Sequence, residues 1–239
     1  MPAPRGSNPT YRGVARVLRP LLLAITRRDW RGAEHLPREG GWLAAANHVT
    51  MADPLTFAHF LYDNGVAPKV LAKESLFRVP VVGRVLRASG QIPVHRNSAR
   101  AKESLASAIS ALETGECVAV FPEGTLTRDP DLWPMVGRTG LARLALTTKV
   151  PVIPVAQWGA HEILAPYGKL PRLLPRKRVT VVAGPPVDLS DLYDRPQDAA
   201  TLREATERVM ATLTSMLEEI RGEQAPEERF DPRRSGAGA

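Results

Sequence analysis

The sequence predicts one α/β domain: a largely parallel central sheet flanked by helices, preceded by an N-terminal amphipathic helical segment. Three observations carry this. Short apolar or β-branched runs bounded by turn residues recur along the chain. Segments with apolar residues at three- and four-residue spacing lie between them. The 239 residues, 44% hydrophobic and 24% charged, suit an ordinary globular chain with one sizeable core.

In order along the chain, residues 10–28 read as a helix. Tyr11, Val14, Leu18, Leu21, Leu22 and Ile25 form one stripe, and Arg12, Arg16, Arg19 and Arg27 another. Pro20 predicts a kink or restart. Strands are predicted at 42–46, 69–72, 91–94, 117–121, 151–155 and 178–183. The prolines of the 151–155 run suggest an edge or a bulge. Helices are predicted at 54–64, opened by Asp53-Pro54 as N-cap and N1, and at 99–113, 137–148 and 198–221. In the second of these, Leu105, Ala108, Ile109 and Leu112 share a face, and Gly115 is the C-terminal stop. Residues 222–239 are polar and read as a disordered tail. The chain thus divides into an N-terminal segment (1–28), a folded body (29–221) and a tail (222–239), with no internal repeat.

The charge balance, 32 Lys and Arg against 25 Asp and Glu, gives +7. Residues 1–40 concentrate it: eight arginines face Asp29, Glu34 and Glu39. Such charge attracts an anionic partner: nucleic acid, a phosphorylated substrate or a membrane surface. Aromatic content of 5% and the lack of a recognition-helix signature argue against nucleic acid. The arginine-faced helix 10–28 fits a helix lying in a membrane interface, or a surface helix packed on its own domain. A second basic cluster, Lys169, Arg172, Arg176, Lys177 and Arg178, is interleaved with Leu and Pro; it fits lipid headgroups or a solvated loop. No apolar run nears the ~18 residues of a spanning helix, and the first residues lack the apolar core of a secretory signal. One cysteine excludes a disulfide framework and a multi-thiolate zinc site. Cys117, inside an apolar strand run, reads as a buried, inert thiol.

Several chemical signatures are absent. There is no G-x-S-x-G elbow, no phosphate-binding P-loop and no G-x-G-x-x-G. His161-Glu162 begins an H-E-x-x-H pattern, but Ala165 stands where the second His belongs. Four blocks are present. Asn47-His48-Val49-Thr50-Met51-Ala52-Asp53 follows a strand and precedes a helix, where α/β folds place ligands. An imidazole with a carboxylate on one ring nitrogen leaves the other nitrogen free to take a proton from a hydroxyl. In a regular helix five residues separate side chains by about 140°, so the pair requires the turn between strand and helix. Alternatively, Asp53 is a plain N-cap and His48 a hydrogen-bonded core residue. Phe121-Pro122-Glu123-Gly124-Thr125 sets a carboxylate, a permissive backbone and a hydroxyl at the same sheet edge, or is an ordinary strand-ending turn. Gly90–Arg96 ends in Arg, whose fork suits phosphate. Val150-Pro151-Val152-Ile153-Pro154-Val155 is the fourth block.

In this order the four blocks, spread over residues 47–155, resemble the glycerolipid acyltransferase family, the PlsC-type 1-acylglycerol-3-phosphate acyltransferases. The Lys73-Glu74-Ser75-Leu76-Phe77 stretch with Pro80 and Gly83 is similar to a further family segment. The resemblance implies an O-acyltransferase that moves a fatty acyl chain from acyl-CoA or acyl carrier protein to the free hydroxyl of lysophosphatidic acid, without an acyl-enzyme, cofactor or metal. It implies His48 as general base and Asp53 as its orienting partner. Arg96 would hold the acceptor phosphate; Lys73, Glu123, Gly124 and Thr125 would shape the substrate site, with Glu123 accepting from a glycerol hydroxyl. The Val150–Val155 strand would serve the acyl donor or the core. Two departures stand out. Leu126 occupies a position where the family often has Arg, which leaves Arg128 or Arg138 to supply that charge, and His95 stands where Asp is frequent. Other acceptors (glycerol 3-phosphate, a lysophospholipid, a phosphatidylinositol mannoside) and a non-catalytic lipid-binding homologue are the alternatives. The expected partner is an anionic membrane surface, the expected location the cytoplasmic face of the cell membrane with peripheral attachment, and nucleic acid is not expected.

Overall fold

The computed structural model describes residues 3–95 and 100–232. Seven strands form one sheet: β1 (Thr26–Arg31), β2 (Trp42–Ala46), β3 (Lys69–Lys73), β4 (Ile92–Val94), β5 (Cys117–Val120), β6 (Val152–Trp158) and β7 (Lys177–Ala183). Their order is β1-β7-β6-β2-β5-β3-β4. β6, β2, β5, β3 and β4 run parallel. β7 is antiparallel to β6, and β1 pairs parallel with β7. The helices are α1 (Pro9–Ile25), α2 (Asp53–Asp63), α3 (Glu74–Arg78), α4 (Pro80–Ala88), α5 (Ala101–Glu113), α6 (Gly140–Thr148), α7 (Ala160–Ile163) and α8 (Ala199–Arg221).

Helices cover both faces of the sheet, so its central strands alternate between two apolar layers rather than between core and water. Leu43, Ala45, Val118, Val120 and Val152 face the layer built with α5, α6 and α8. Trp42, Ala44, Ala46, Cys117, Ala119, Ile153 and Val155 face the layer under α1 and α2. The buried Cys117 thiol is pushed up in pKa, chiefly by burial, as expected of an inert core residue. Because β2, β3, β5 and β6 share one direction, their carboxyl ends meet along a single edge.

Five differences from the sequence reading have identifiable causes. The first helix stops at Ile25, where the Thr26 hydroxyl donates to the Leu22 carbonyl at 2.6 Å. Thr26–Arg31 then pairs with β7, so Arg27 lies on an edge strand rather than on the helical stripe. α1 continues through Pro20 and packs on the body: Leu22 and Ile25 are buried and Tyr11 stacks on Tyr62. β6 lies inside the sheet despite Pro154. Pro154 accepts from Gly184 N–H on its β7 side, so its missing N–H falls on that side and the ladder to β2 stays intact. Residues 74–88, not predicted as helical, form α3 and α4, with an extended Val79 before Pro80. Finally, residues 222–232 lie back along the body instead of forming the start of a free tail. Phe230 C=O accepts from Val136 N–H, Glu218 accepts from Ala225 N–H, and Arg229 pairs with Glu207. These are polar contacts, which apolar composition does not forecast. Residues 233–239 lie outside the described residues. No described helix is long and apolar enough to cross a membrane.

Candidate active site

The site begins at the carboxyl end of β2. Asn47 is buried, and its side chain extends the sheet by a rung. It donates to the Gln157 carbonyl at 3.0 Å and accepts from Gln157 N–H at 2.8 Å, and the Gln157 amide donates back to the Asn47 carbonyl at 3.2 Å. The end of β2 is thereby tied to the end of β6. The chain then turns through Val49–Ala52 into α2. Asp53 Oδ2 accepts from Val49 N–H at 2.5 Å and from Thr50 N–H at 2.7 Å, and lies 3.1 Å from His48 Nδ1. Asp53 is therefore not the predicted N-cap of α2, which is Ala52; as the first helical residue it reaches back to tie the preceding turn and to partner the imidazole. The Thr50 hydroxyl donates to the Leu164 carbonyl at 2.5 Å, holding the turn from outside.

His48 is held on every side except one. Its N–H donates to Glu123 Oε1 at 2.8 Å, and its carbonyl accepts from Thr127 N–H at 2.7 Å. Its ring stacks on Phe121 at 4.1 Å between centroids. With Nδ1 on the carboxylate, Nε2 is the nitrogen left for a ligand, and His48 lines a groove of about 870 Å³. A fixed imidazole with one nitrogen buried against a carboxylate and the other open is an arrangement able to take a proton from a hydroxyl.

Glu123 is buried, and its other oxygen accepts from Met135 N–H at 3.0 Å. Burial pushes its pKa up to about 8; the two N–H donors pull the other way, and Asp53 and Asp129 add to the rise. The resemblance implied a contact with an acceptor hydroxyl. In the fold both oxygens are engaged by backbone donors beneath the groove, so Glu123 braces the His48 turn to the 127–136 loop. That loop is closed by the Thr127 hydroxyl on the Trp133 carbonyl (2.6 Å) and by Asp129 accepting from Asp131 and Trp133 N–H. Arg221, stacked between Trp133 and Trp158, locks it to α8.

The groove runs between α1, α2 and α4 and is mostly apolar: Val14, Leu18, Leu55, Val82, Val85 and Leu86 contribute to its walls. Lys73, Gly124, Thr125 and Leu126 line it near His48. Gly124 has a φ of 73°, and a Cβ there would fall 2.8 Å from Arg138 Cδ, so the Arg138 side chain lies across this turn. Arg138 is thus brought against the Gly124 turn, while Arg128 is exposed on the loop beyond; neither is part of the groove lining. Arg96 lies outside the described residues. Val152, Ile153 and Val155 are core residues. Sequence reasoning missed Gln157, Thr127 and the α1 and α4 walls. Gln157 meets Asn47 across 110 positions, and no local pattern signals such a pairing.

Comparisons with known proteins give the family. The family model described as Acyltransferase matches residues 27–158. A 1-acyl-sn-glycerol-3-phosphate acyltransferase of Borreliella burgdorferi is 34% identical over 131 residues, 54% of this chain and 50% of that protein. One of Bacillus subtilis is 27% identical over 192 residues, covering 78% of this chain and 88% of the relative. The chain spans about half the length, or less, of the first curated relatives it matches. The crystal structure of the 1-acyl-sn-glycerophosphate (LPA) acyltransferase PlsC from Thermotoga maritima superposes with a TM-score of 0.65 at 23% identity. It covers 90% of this chain and 81% of that one, a likeness of fold. With the family model spanning more than half of the chain, the protein belongs to the Acyltransferase family and has the PlsC-type fold.

Proposed function

We propose that this protein transfers a fatty acyl chain from an acyl thioester to the free hydroxyl of a 1-acylglycerol-3-phosphate, forming phosphatidic acid. The observation that carries the reading is the His48–Asp53 pair, 3.1 Å apart, at the head of an apolar groove. His48 Nε2 takes the acceptor hydroxyl proton as the oxygen attacks the thioester carbonyl. A tetrahedral oxyanion forms; the C–O bond is kept, the C–S bond breaks, and the imidazolium returns its proton to the departing thiolate. Asp53 keeps Nδ1 protonated and stabilises the imidazolium. The scheme calls for no metal or cofactor, with acyl-CoA or acyl carrier protein as the donor.

Lys73, which lines the groove, and Arg138, whose side chain lies against the Gly124 turn, are proposed to bind the acceptor phosphate together with Arg96. Leu126 in place of an arginine favours a second reading: the same chemistry on another lipid acceptor, such as a lysophospholipid with a larger headgroup. The enzyme is proposed to work at the cytoplasmic face of the cell membrane, attached peripherally through α1, whose outer face exposes Arg16, Val17 and Leu21. The test is thiol release from palmitoyl-CoA with and without lysophosphatidic acid. Acceptor-dependent release that His48→Ala abolishes supports the proposal. Release that requires a different lysolipid favours the second reading, and none with any lysolipid or donor rejects both.

A further inference from the structure

We infer that the loop between α7 and β7 is a second membrane-inserting element: a leucine wedge that beds the mouth of the groove into an anionic bilayer. The inference rests on the peripheral-membrane reading above and extends it. Residues 169–176, Lys-Leu-Pro-Arg-Leu-Leu-Pro-Arg, are all exposed. Leu170 is 85% and Leu174 79% accessible, with Leu173 also exposed. Such a cluster of apolar side chains in water marks an interaction surface.

The loop is anchored at both ends and bare at its tip. At its start, the Tyr167 hydroxyl lies 3.3 Å from the carbonyls of Leu126 and Thr127, and Arg172 N–H donates to Ile163. At its end, Arg176 donates to the Leu23 and Thr26 carbonyls at the close of α1. The wedge is therefore fastened to the first proposed membrane element and to the edge of the active site. Tyr167 and Gly168 line the groove, and so do Met51, Leu55, Val81 and Val82, which are themselves exposed. The apolar rim of the groove thus continues toward the wedge.

Charge identifies the partner. No acidic residue stands between Glu162 and Asp188. Arg178 is paired with Asp29 and Arg176 is held by α1, which leaves Lys169, Arg172 and Lys177 around the leucines. Leucines that enter an acyl layer while cations meet phosphate headgroups are the pattern of an interfacial anchor. A protein partner would call for shape complementarity, for which an irregular loop of Leu and Pro offers no regular face.

The test uses the full chain with vesicles of phosphatidylcholine alone or mixed equally with phosphatidylglycerol. The double variant Leu170→Asp/Leu174→Asp is expected to lower partition onto the mixed vesicles by about tenfold or more. Its turnover of a water-soluble, short-chain donor and acceptor should stay within about twofold of wild type, a check that the variant is folded. In parallel, Leu174→Trp should gain fluorescence that is quenched by acyl-brominated lipid, as should Val17→Trp on α1. If Val17→Trp is quenched and Leu174→Trp is not, the wedge is overturned while peripheral attachment by α1 stands. If the aspartate variant abolishes self-association in light scattering but leaves vesicle partition unchanged, the loop is a contact between copies and the inference fails. If wild type binds neither vesicle, both the wedge and the peripheral-membrane reading fall.

Discussion

Two regions meet at the mouth of the groove and differ in how they are held. On the sheet side, the His48 turn has its polar atoms bound to the protein itself: Asp53, Glu123, Thr127 and the Asn47–Gln157 bridge engage them in the interior. On the rim side, α1, α4 and the loop after α7 expose leucines and valines with few polar ties. Val81 on α4 is 72% accessible. Chemistry requires a base held to within fractions of an ångström. A lipid chain requires apolar surface and room to enter. The first region gains order from buried hydrogen bonds, and the second leaves apolar area exposed to solvent.

The strongest way to break this comparison is to remove the proposed base. His48→Ala should lower acyl transfer by about a thousandfold, within the range for a general base, while costing about 1–2 kcal/mol of stability and leaving the protein folded. Equal loss of stability and activity, measured by thiol release and urea unfolding, would mean that His48 is structural. Next in size is the brace. Glu123→Ala leaves the His48 and Met135 N–H groups unpaired and should cost about 2–4 kcal/mol in chemical denaturation. Glu123→Gln keeps an acceptor and should cost less.

The raised pKa of Glu123 gives a sharper form of the same test. The folded protein keeps this proton up to about pH 8, whereas the unfolded chain releases it near the ordinary value of 4.5. The group's contribution is therefore full below the unfolded value and is lost as pH rises through the folded one. The slope is at most about 1.4 kcal/mol per pH unit. Glu123→Gln should flatten stability across that window; an unchanged pH profile would show that Glu123 is ionised in the fold.

Smaller effects belong to the junction between the regions. Arg138→Ala should raise the KM for a phosphorylated acceptor about tenfold and leave kcat within about twofold. A kcat effect with unchanged KM would remove Arg138 from acceptor binding. Gly124→Ala, with its positive φ and a Cβ pressed on Arg138, should cost about 1 kcal/mol and raise the same KM. The smallest effect lies on the rim side. Arg19→Ala breaks a half-exposed pair with Asp63, which Arg28 still engages, and should cost under about 1 kcal/mol, a difference that salt reduces.

Much of the site was legible because it is local. His48 and Asp53 lie five positions apart and meet through one turn; Phe121–Thr125 follows its strand directly. The strand and helix runs could be read because a core on each sheet face leaves apolar periodicity behind, as in Leu105, Ala108, Ile109 and Leu112. Other features left no such trace. Thr26–Arg31 has the charge of a surface helix and becomes a strand only because β7 offers an open edge. Glu123 belongs to the same motif whether it meets a ligand or two backbone N–H groups; its burial decides between them.

By itself the sequence determined most of the alternation of strands and helices, the strand-to-helix turn through which His48 and Asp53 meet, and the residues with reactive side chains. These rest on spacing, turn chemistry and functional groups that neighbouring positions carry with them. Tertiary structure decided the rest: the strand order, the Asn47–Gln157 bridge, Glu123 as a brace, Arg138 rather than Arg128 beside the turn, and a groove walled by α1, α2 and α4. Each joins residues far apart in the chain, and only sheet register and helix packing set which of them touch.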